Sequence, residues 1–193
     1  MKRTRQTPPG AVRIIGGSLR GSRLSVPALP DLRPTPARLR ETLFNWLTPV
    51  VEGARVLDPF AGSGALGIEA LSRGAAHASM IERGRGQAAR IEADLLRLRA
   101  GDRGEVRCAD ALQALLQPPA QPFDIVFLDP PFDAGLWTRA ASMLEEHGWL
   151  APGARVYIEM PLQASFEPPS RWTLQRQGRA GAVLGALYVR SNT

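Results

Sequence analysis

The sequence predicts an α/β fold: a mostly parallel β-sheet covered by helices on both faces, preceded by a small N-terminal hairpin and helix. Three observations carry this prediction. From Ala54 onward, short apolar runs alternate with amphipathic stretches, the pattern of strands joined by helical crossovers. The first of those runs feeds directly into the glycine-rich turn Val56-Leu57-Asp58-Pro59-Phe60-Ala61-Gly62-Ser63-Gly64-Ala65-Leu66-Gly67. Residues 1–55 carry ten Lys/Arg against three Asp/Glu and the remainder fourteen against fifteen, so the excess positive charge belongs to the segment ahead of the sheet.

Along the chain, residues 1–10 are basic and proline-containing with no hydrophobic period, and read as a flexible tail awaiting a partner. Val12-Arg13-Ile14-Ile15-Gly16-Gly17 and Arg20-Gly21-Ser22-Arg23-Leu24-Ser25-Val26 read as two short strands around a glycine-containing turn. A proline-punctuated linker over 27–34 follows. Thr35-Pro36 then supplies an N-cap and a proline at the first helical position. The helix expected over 36–47 gathers Leu39, Leu43, Phe44, Trp46 and Leu47 largely on one side and leaves Arg38 and Arg40 available near its start. The extension thus covers 11–53 and the sheet domain 54–193. In that domain strands are expected near 54–58, 77–82, 104–109, 123–129, 153–160, 171–177 and 183–190. Helices are expected near 64–73, 84–100, 110–116 and 135–147. The helix over 84–100 has the clearest signature, with Ala88, Ile91, Leu95 and Leu98 at steps of three and four.

Composition bounds the function classes. A chain of 193 residues buries one sizeable core. Its net charge of +6, concentrated at one end, suits a polyanion such as nucleic acid, although only Lys2 of the 24 basic residues is a lysine and arginine richness also follows from genomic bias. Cys108 is the single cysteine, so neither an intrachain disulfide nor a Cys-x-x-Cys metal pair is available. It reads as a small buried residue. The basic start lacks a following apolar segment, and no run approaches eighteen apolar residues, so a cytoplasmic protein with no membrane segment is expected.

The chemistry concentrates in two segments. Gly62, Gly64 and Gly67 have the G-x-G-x-x-G spacing, which also occurs in NAD-binding dehydrogenases. Asp58 ahead of them decides the direction: a carboxylate there repels a pyrophosphate but suits the ammonium and sulfonium of S-adenosylmethionine. Phe60, Ala61, Gly62, Ser63 and Gly64 would line that cofactor. Glu82, ending the next strand beside Arg83, suits the ribose hydroxyls. Asp110, with Ala111 behind it, suits an adenine amine, or alternatively caps the following helix.

The second segment is Phe127-Leu128-Asp129-Pro130-Pro131-Phe132. Its two prolines leave carbonyls that no local N–H can claim. Accepting both hydrogens of an exocyclic amine at Asp129 and the Pro130 carbonyl favours its attack on an electrophile, with Pro131 stiffening the turn and Phe132 stacking on the base. No general base is required, and neither His77 nor His147 sits in a motif. No metal constellation is visible.

Several further pieces join these motifs: Arg13-Ile14-Ile15-Gly16-Gly17, Arg20-Gly21, Leu32-Arg33-Pro34-Thr35 with Arg38, Arg40-Glu41-Thr42-Leu43-Phe44-Asn45-Trp46-Leu47 and Glu69-Ala70-Leu71-Ser72-Arg73-Gly74. With them the chain resembles, from Arg13 to Arg190, the bacterial RsmD family of 16S ribosomal RNA guanine-N2 methyltransferases acting on guanine 966. The resemblance implies the class I (Rossmann-like) seven-stranded methyltransferase fold with a reversed hairpin at the end, here Arg171 to Arg190. It implies S-adenosylmethionine around Asp58 to Gly64, Glu82 and Asp110, with Thr35 beside it, and catalysis at Asp129 to Phe132. The hairpin and helix would touch RNA through Arg13, Arg20, Arg23, Arg33, Arg38 and Arg40. The partner would be 16S rRNA within the small ribosomal subunit or an assembly intermediate, and the enzyme a monomer. Gln177-Gly178-Arg179-Ala180-Gly181-Ala182 departs from the family pattern. Two other readings stay open: a DNA adenine-N6 methyltransferase, because the same turn serves adenine amines, and a non-catalytic RNA-binding assembly factor that keeps the fold.

Overall fold

A computed structural model describes residues 10–26, 37–132 and 135–192. The expected tail, the linker with Arg33, and the Thr35-Pro36 cap lie outside the described residues.

The N-terminal strands β1 (Gly10–Arg13) and β2 (Arg23–Val26) pair antiparallel, Val12 opposite Leu24, and helix α1 (Ala37–Leu47) follows. The main sheet is then laid down by β3 (Arg55–Asp58), β4 (His77–Glu82), β5 (Gly104–Cys108), β6 (Phe123–Leu128), β7 (Leu150–Pro161), β8 (Trp172–Ala180) and β9 (Val183–Arg190). Its order is β5-β4-β3-β6-β7-β9-β8, with β3 to β7 parallel and β9 antiparallel to both its neighbours. Seven strands and the closing reversed hairpin are therefore as the sequence leads one to expect. Helices α2 (Ala65–Ser72), α3 (Arg85–Arg97), α4 (Ala111–Leu115) and α5 (Trp137–Glu146) make the crossovers.

Strand alternation sorts the core into two layers. Val56, Ile125, Phe127, Tyr157 and Leu187 face α1, α2, α3 and the hairpin, while Leu57, Val126, Leu128, Val156 and Ile158 face α4 and α5. Val12, Ile14, Leu24, Leu43 and Phe44 belong to the first layer, so the N-terminal elements share their apolar core with the sheet. Two cross-strand glycines, Gly178 and Gly185, admit α1 at close range. A Cβ on the first would lie 3.3 Å from Trp46, and on the second 3.0 Å from Leu39.

The hairpin strands are displaced from the expected Val12–Gly17 and Arg20–Val26, β1 ending at Arg13 and β2 starting only at Arg23, and in the sheet domain three boundaries differ by three residues. Helix α3 stops at Arg97 because Arg99 enters the left-handed region at φ 56°, which turns the chain so that the Ala100 N–H reaches back to the Leu95 carbonyl. Strand β7 starts at Leu150, earlier than its apolar run, since its first residues gain their ladder from Phe123 across a register shift. Strand β8 runs on to Ala180, through the segment that departs from the family pattern, because β9 pairs it along its whole length.

Candidate active site

The two chemical segments end adjacent strands. Strands β3 and β6 pair in parallel, Val56 with Ile125 and Leu57 with Val126, so the glycine turn after Asp58 and the turn from Asp129 leave the same carboxyl edge side by side. Ligands in open α/β sheets lie in such a crevice, outside the carboxyl ends of the strands.

Asp58 is 2% exposed, and its Oδ1 has no hydrogen-bond partner among the described residues. Loss of water raises its pKa to about 7; the Gly67 N–H opposes this, the charge of Glu82 adds to it, and the Phe60 N–H again opposes it. A buried acid with an unanswered oxygen is costly and calls for an external donor. Gly62 (φ 54°) and Gly64 (φ 74°) are left-handed, and Gly64 is the N-cap of α2, so the loop and helix start bend tightly past Asp58. Gly67 has a different task. A Cβ there would stand 2.6 Å from the Met80 sulfur, so it lets α2 press against β4.

Glu82 does more than end a strand. Its Oε2 accepts the Gly62 N–H at 2.9 Å and its Oε1 the Gly84 N–H at 2.6 Å, which ties the glycine turn to the next loop. Each carboxylate oxygen has a second lone pair, so this clamp leaves acceptor capacity for hydroxyls. Asp110 is exposed and caps α4, its Oδ1 accepting the Gln113 N–H at 3.0 Å. Ala111 and Ala61 are buried, Ser63 is half-buried and Arg83 exposed. Cys108 contradicts its expected burial: it closes β5 on the solvent side, exposed, with its thiol 3.8 Å from the Arg83 carbonyl.

At the other turn Asp129 is half-buried, Pro130 buried and Pro131 exposed. The Phe132 ring, 37% exposed, tilts against Trp137 at 6.1 Å. The Trp137 indole N–H donates to the Glu159 carbonyl at 2.8 Å. Glu159 itself, 3% exposed, receives the Tyr157 hydroxyl at 3.1 Å. Neither Tyr157 nor Glu159 stands out in the sequence; the signal available was a polar pair at i, i+2 inside an apolar strand.

Arg13, Arg20, Arg23 and Arg38 are exposed on the N-terminal elements. Arg40 contradicts its expected availability. It is 2% exposed, because its neighbours Leu39 and Leu43 turn that side of α1 inward, and its guanidinium donates to the Arg13 carbonyl at 2.6 Å. Burial pushes its pKa down, and the nearby charge of Glu69 opposes this. Arg40 is thus a strut between α1 and β1.

Glu69 is the residue that fastens the hairpin. Completely buried, it accepts the Ile15 and Gly16 N–H groups, each at 2.8 Å, and the Arg73 Nε at 2.9 Å. Three residues on, the Ser72 hydroxyl donates to the Gly16 carbonyl and accepts the Leu19 N–H, while the Ser72 carbonyl accepts the Ser18 N–H at 2.7 Å. Gly17 (φ 75°) is obligatory there, since a Cβ would fall 1.8 Å from that carbonyl.

Comparison with known proteins accords with this architecture. The family described as Conserved hypothetical protein 95 matches residues 12–189. Ribosomal RNA small subunit methyltransferase D of Escherichia coli K12 is 46% identical over 191 residues, 98% of this chain and 96% of that protein. The Haemophilus influenzae protein of the same name is 43% identical over 187 residues, 95% and 97% of the two chains. The chain belongs to the ribosomal RNA small subunit methyltransferase D family. Among solved structures, the putative methyltransferase yhhF from E. coli superposes with a TM-score of 0.86 at 46% identity, covering 95% of this chain and 100% of that one. A Salinibacter ruber RNA methyltransferase in complex with S-adenosyl-L-homocysteine, 18% identical, has the same fold at a TM-score of 0.65, over 83% of this chain and 95% of that one. The fold is that of the S-adenosylmethionine-dependent methyltransferases.

Proposed function

We propose that this chain is an S-adenosylmethionine-dependent rRNA methyltransferase that modifies the exocyclic N2 amine of one guanine, position 966, in 16S rRNA of the small ribosomal subunit. The observation that carries the reading is Asp58: a buried carboxylate with an unanswered oxygen, on the strand next to the one that delivers Asp129-Pro130-Pro131-Phe132. The residues present fit the donor. Asp58 would hold its ammonium, Glu82 its ribose hydroxyls and Asp110 its adenine amine, over Gly62 to Gly64, with Arg83 beside Glu82. When bound, S-adenosylmethionine supplies a methyl group on an electrophilic sulfonium.

The chain's own residues do the rest. Asp129 and the Pro130 carbonyl accept the two N2 hydrogens, which draws the nitrogen lone pair out of conjugation as positive charge builds on it. Pro131 keeps the turn from closing its own hydrogen bonds, and Phe132 stacks on the extruded base. Unstacking the target costs a few kcal/mol, roughly. Contacts from Arg13, Arg20, Arg23, Arg33 and Arg38 to phosphates offset that cost. Catalysis is therefore positioning plus electrostatics, with no residue asked to remove a proton in advance.

The names of the 46% and 43% identical relatives support rRNA of the small subunit as the substrate class. The test is incubation with tritiated donor and either undermethylated small subunits or naked DNA, followed by mass-spectrometric mapping of the product. Label at N2 of one 16S guanine is expected. Labelled adenine in DNA with silent rRNA would establish the adenine-N6 reading instead, and an absence of donor binding by calorimetry would leave an assembly factor.

A further inference from the structure

Asp129 and a proline carbonyl hold an amine, but guanine and adenine both offer one. Something else must read the ring. The last parallel pair between β6 and β7 is Leu128 with Ile158, so the next residues on the two strands, Asp129 and Glu159, are neighbours at the carboxyl edge, strands being about 4.8 Å apart. The charges of both carboxylates act on one buried hydroxyl. Tyr157 donates to Glu159 at 3.1 Å, and its ionisation is pushed well above the ordinary tyrosine range by burial, then by the charges of Glu159 and Asp129. Opposite Glu159 in β9 stands Gly185, whose missing Cβ leaves the room that the Tyr157 hydroxyl occupies; a Cβ would meet it at 2.6 Å. The Glu159 main chain is held too, its carbonyl receiving the indole N–H of Trp137, which in turn supports Phe132.

So a buried carboxylate, held by a tyrosine, lies one strand from the amine-holding acid, and its main-chain carbonyl binds the indole that supports Phe132. An apolar residue would have served packing at lower cost. We propose that Glu159 is the base-specificity residue of this site, accepting the N1–H of guanine while Asp129 and the Pro130 carbonyl hold N2. Guanine presents N1–H and N2–H donors side by side. Adenine presents a lone pair at N1, which a carboxylate repels. A site built to accept a hydrogen bond rejects the analogue lacking the donor far more strongly than shape alone does. The inference rests on the guanine-N2 reading above.

The test uses the full chain and small subunits reconstituted with either guanine or 2-aminopurine at the target position. 2-Aminopurine keeps the N2 amine but carries a lone pair at N1. The native enzyme is expected to favour guanine in kcat/KM by about 10- to 100-fold, the worth of one hydrogen bond to a charged group. Glu159→Gln, nearly isosteric and able to donate to N1, should bring the ratio within about threefold, with donor affinity unchanged within twofold by calorimetry. Should that variant fail to fold, Tyr157→Phe frees the carboxylate from its guide and should lower the ratio several-fold. A ratio left intact by the substitution that folds, with both bases slowed equally, overturns the assignment, as does a native enzyme that methylates both bases equally. A native enzyme that labels N2 of neither base overturns the guanine-N2 reading and this inference with it.

Discussion

Asp58 is held in a state its own chemistry resists, and Asp58→Asn separates the cost from the use. Its pKa is raised from 3.8 to about 7, which at 1.36 kcal/mol per pKa unit amounts to about 4 kcal/mol lost by the donor-free protein once the group ionises. The folded state binds this proton more tightly than the unfolded chain does. The stabilisation is therefore fully present below about pH 4 and lost as pH rises through about 7. Asparagine imitates the protonated acid, so the variant escapes the loss. Urea unfolding without donor should place it about 2 to 4 kcal/mol above the native protein at pH 8, and near parity at pH 4. Donor binding runs the other way, because an ammonium binds only the ionised form. Native affinity should rise nearly tenfold per pH unit from 5.5 to 6.5 and level off above 7.5. Calorimetry at pH 6 in buffers of different ionisation enthalpy should record the release of close to one proton. The variant should lose this pH dependence and bind about 10- to 100-fold more weakly at pH 8. A native affinity flat between pH 5.5 and 8, or a stability difference that ignores pH, would refute the reasoning.

Asp129→Ala should lower kcat by about 10² or more while donor affinity changes little, as for a group that acts mainly in the transition state; equal losses in both would assign it to donor binding. Replacing Arg13, Arg20 and Arg38 by glutamine should weaken RNA binding and reduce the slope of log affinity against log salt by roughly 0.7 to 0.9 for every phosphate no longer neutralised. Arg40→Gln should leave that slope alone and lower the melting temperature instead, since its guanidinium serves the Arg13 carbonyl. Glu69→Ala orphans the Ile15 and Gly16 N–H groups and should cost about 2 to 3 kcal/mol, with hydrogen exchange accelerated at Ile15 and Gly16 first.

Periodicity made most of the fold legible, because strand and helix faces in a doubly covered sheet are dictated by which side chains need burial. The glycine turn, Asp58 and the turn from Asp129 were legible for a related reason: each breaks the apolar pattern at a strand end, where function collects. What escaped was decided across the sheet rather than along it. Arg40 shares the buried stripe of α1 with Leu43, Phe44 and Leu47, but its charge reads as exposed, and the Arg13 carbonyl that receives its guanidinium N–H there lies on β1. Cys108 is apolar by type but sits at the outer end of the edge strand β5. Glu69 lies in an otherwise apolar helix, an irregularity that a search for buried acids would have flagged; its partners are 53 and 54 residues away. Glu159 and Tyr157 needed the register of β6 against β7 before they could be placed beside Asp129.

Helix α2 is buried at every residue from Ala65 to Ser72, starts from the left-handed Gly64 and ends in the Glu69 and Ser72 clamps on the hairpin. Its length is therefore a ruler. Adding or deleting one residue within it would swing the clamps by about 100° and 1.5 Å relative to the turn, so family members that keep both ends are expected to conserve the number of residues between them even where the side chains drift.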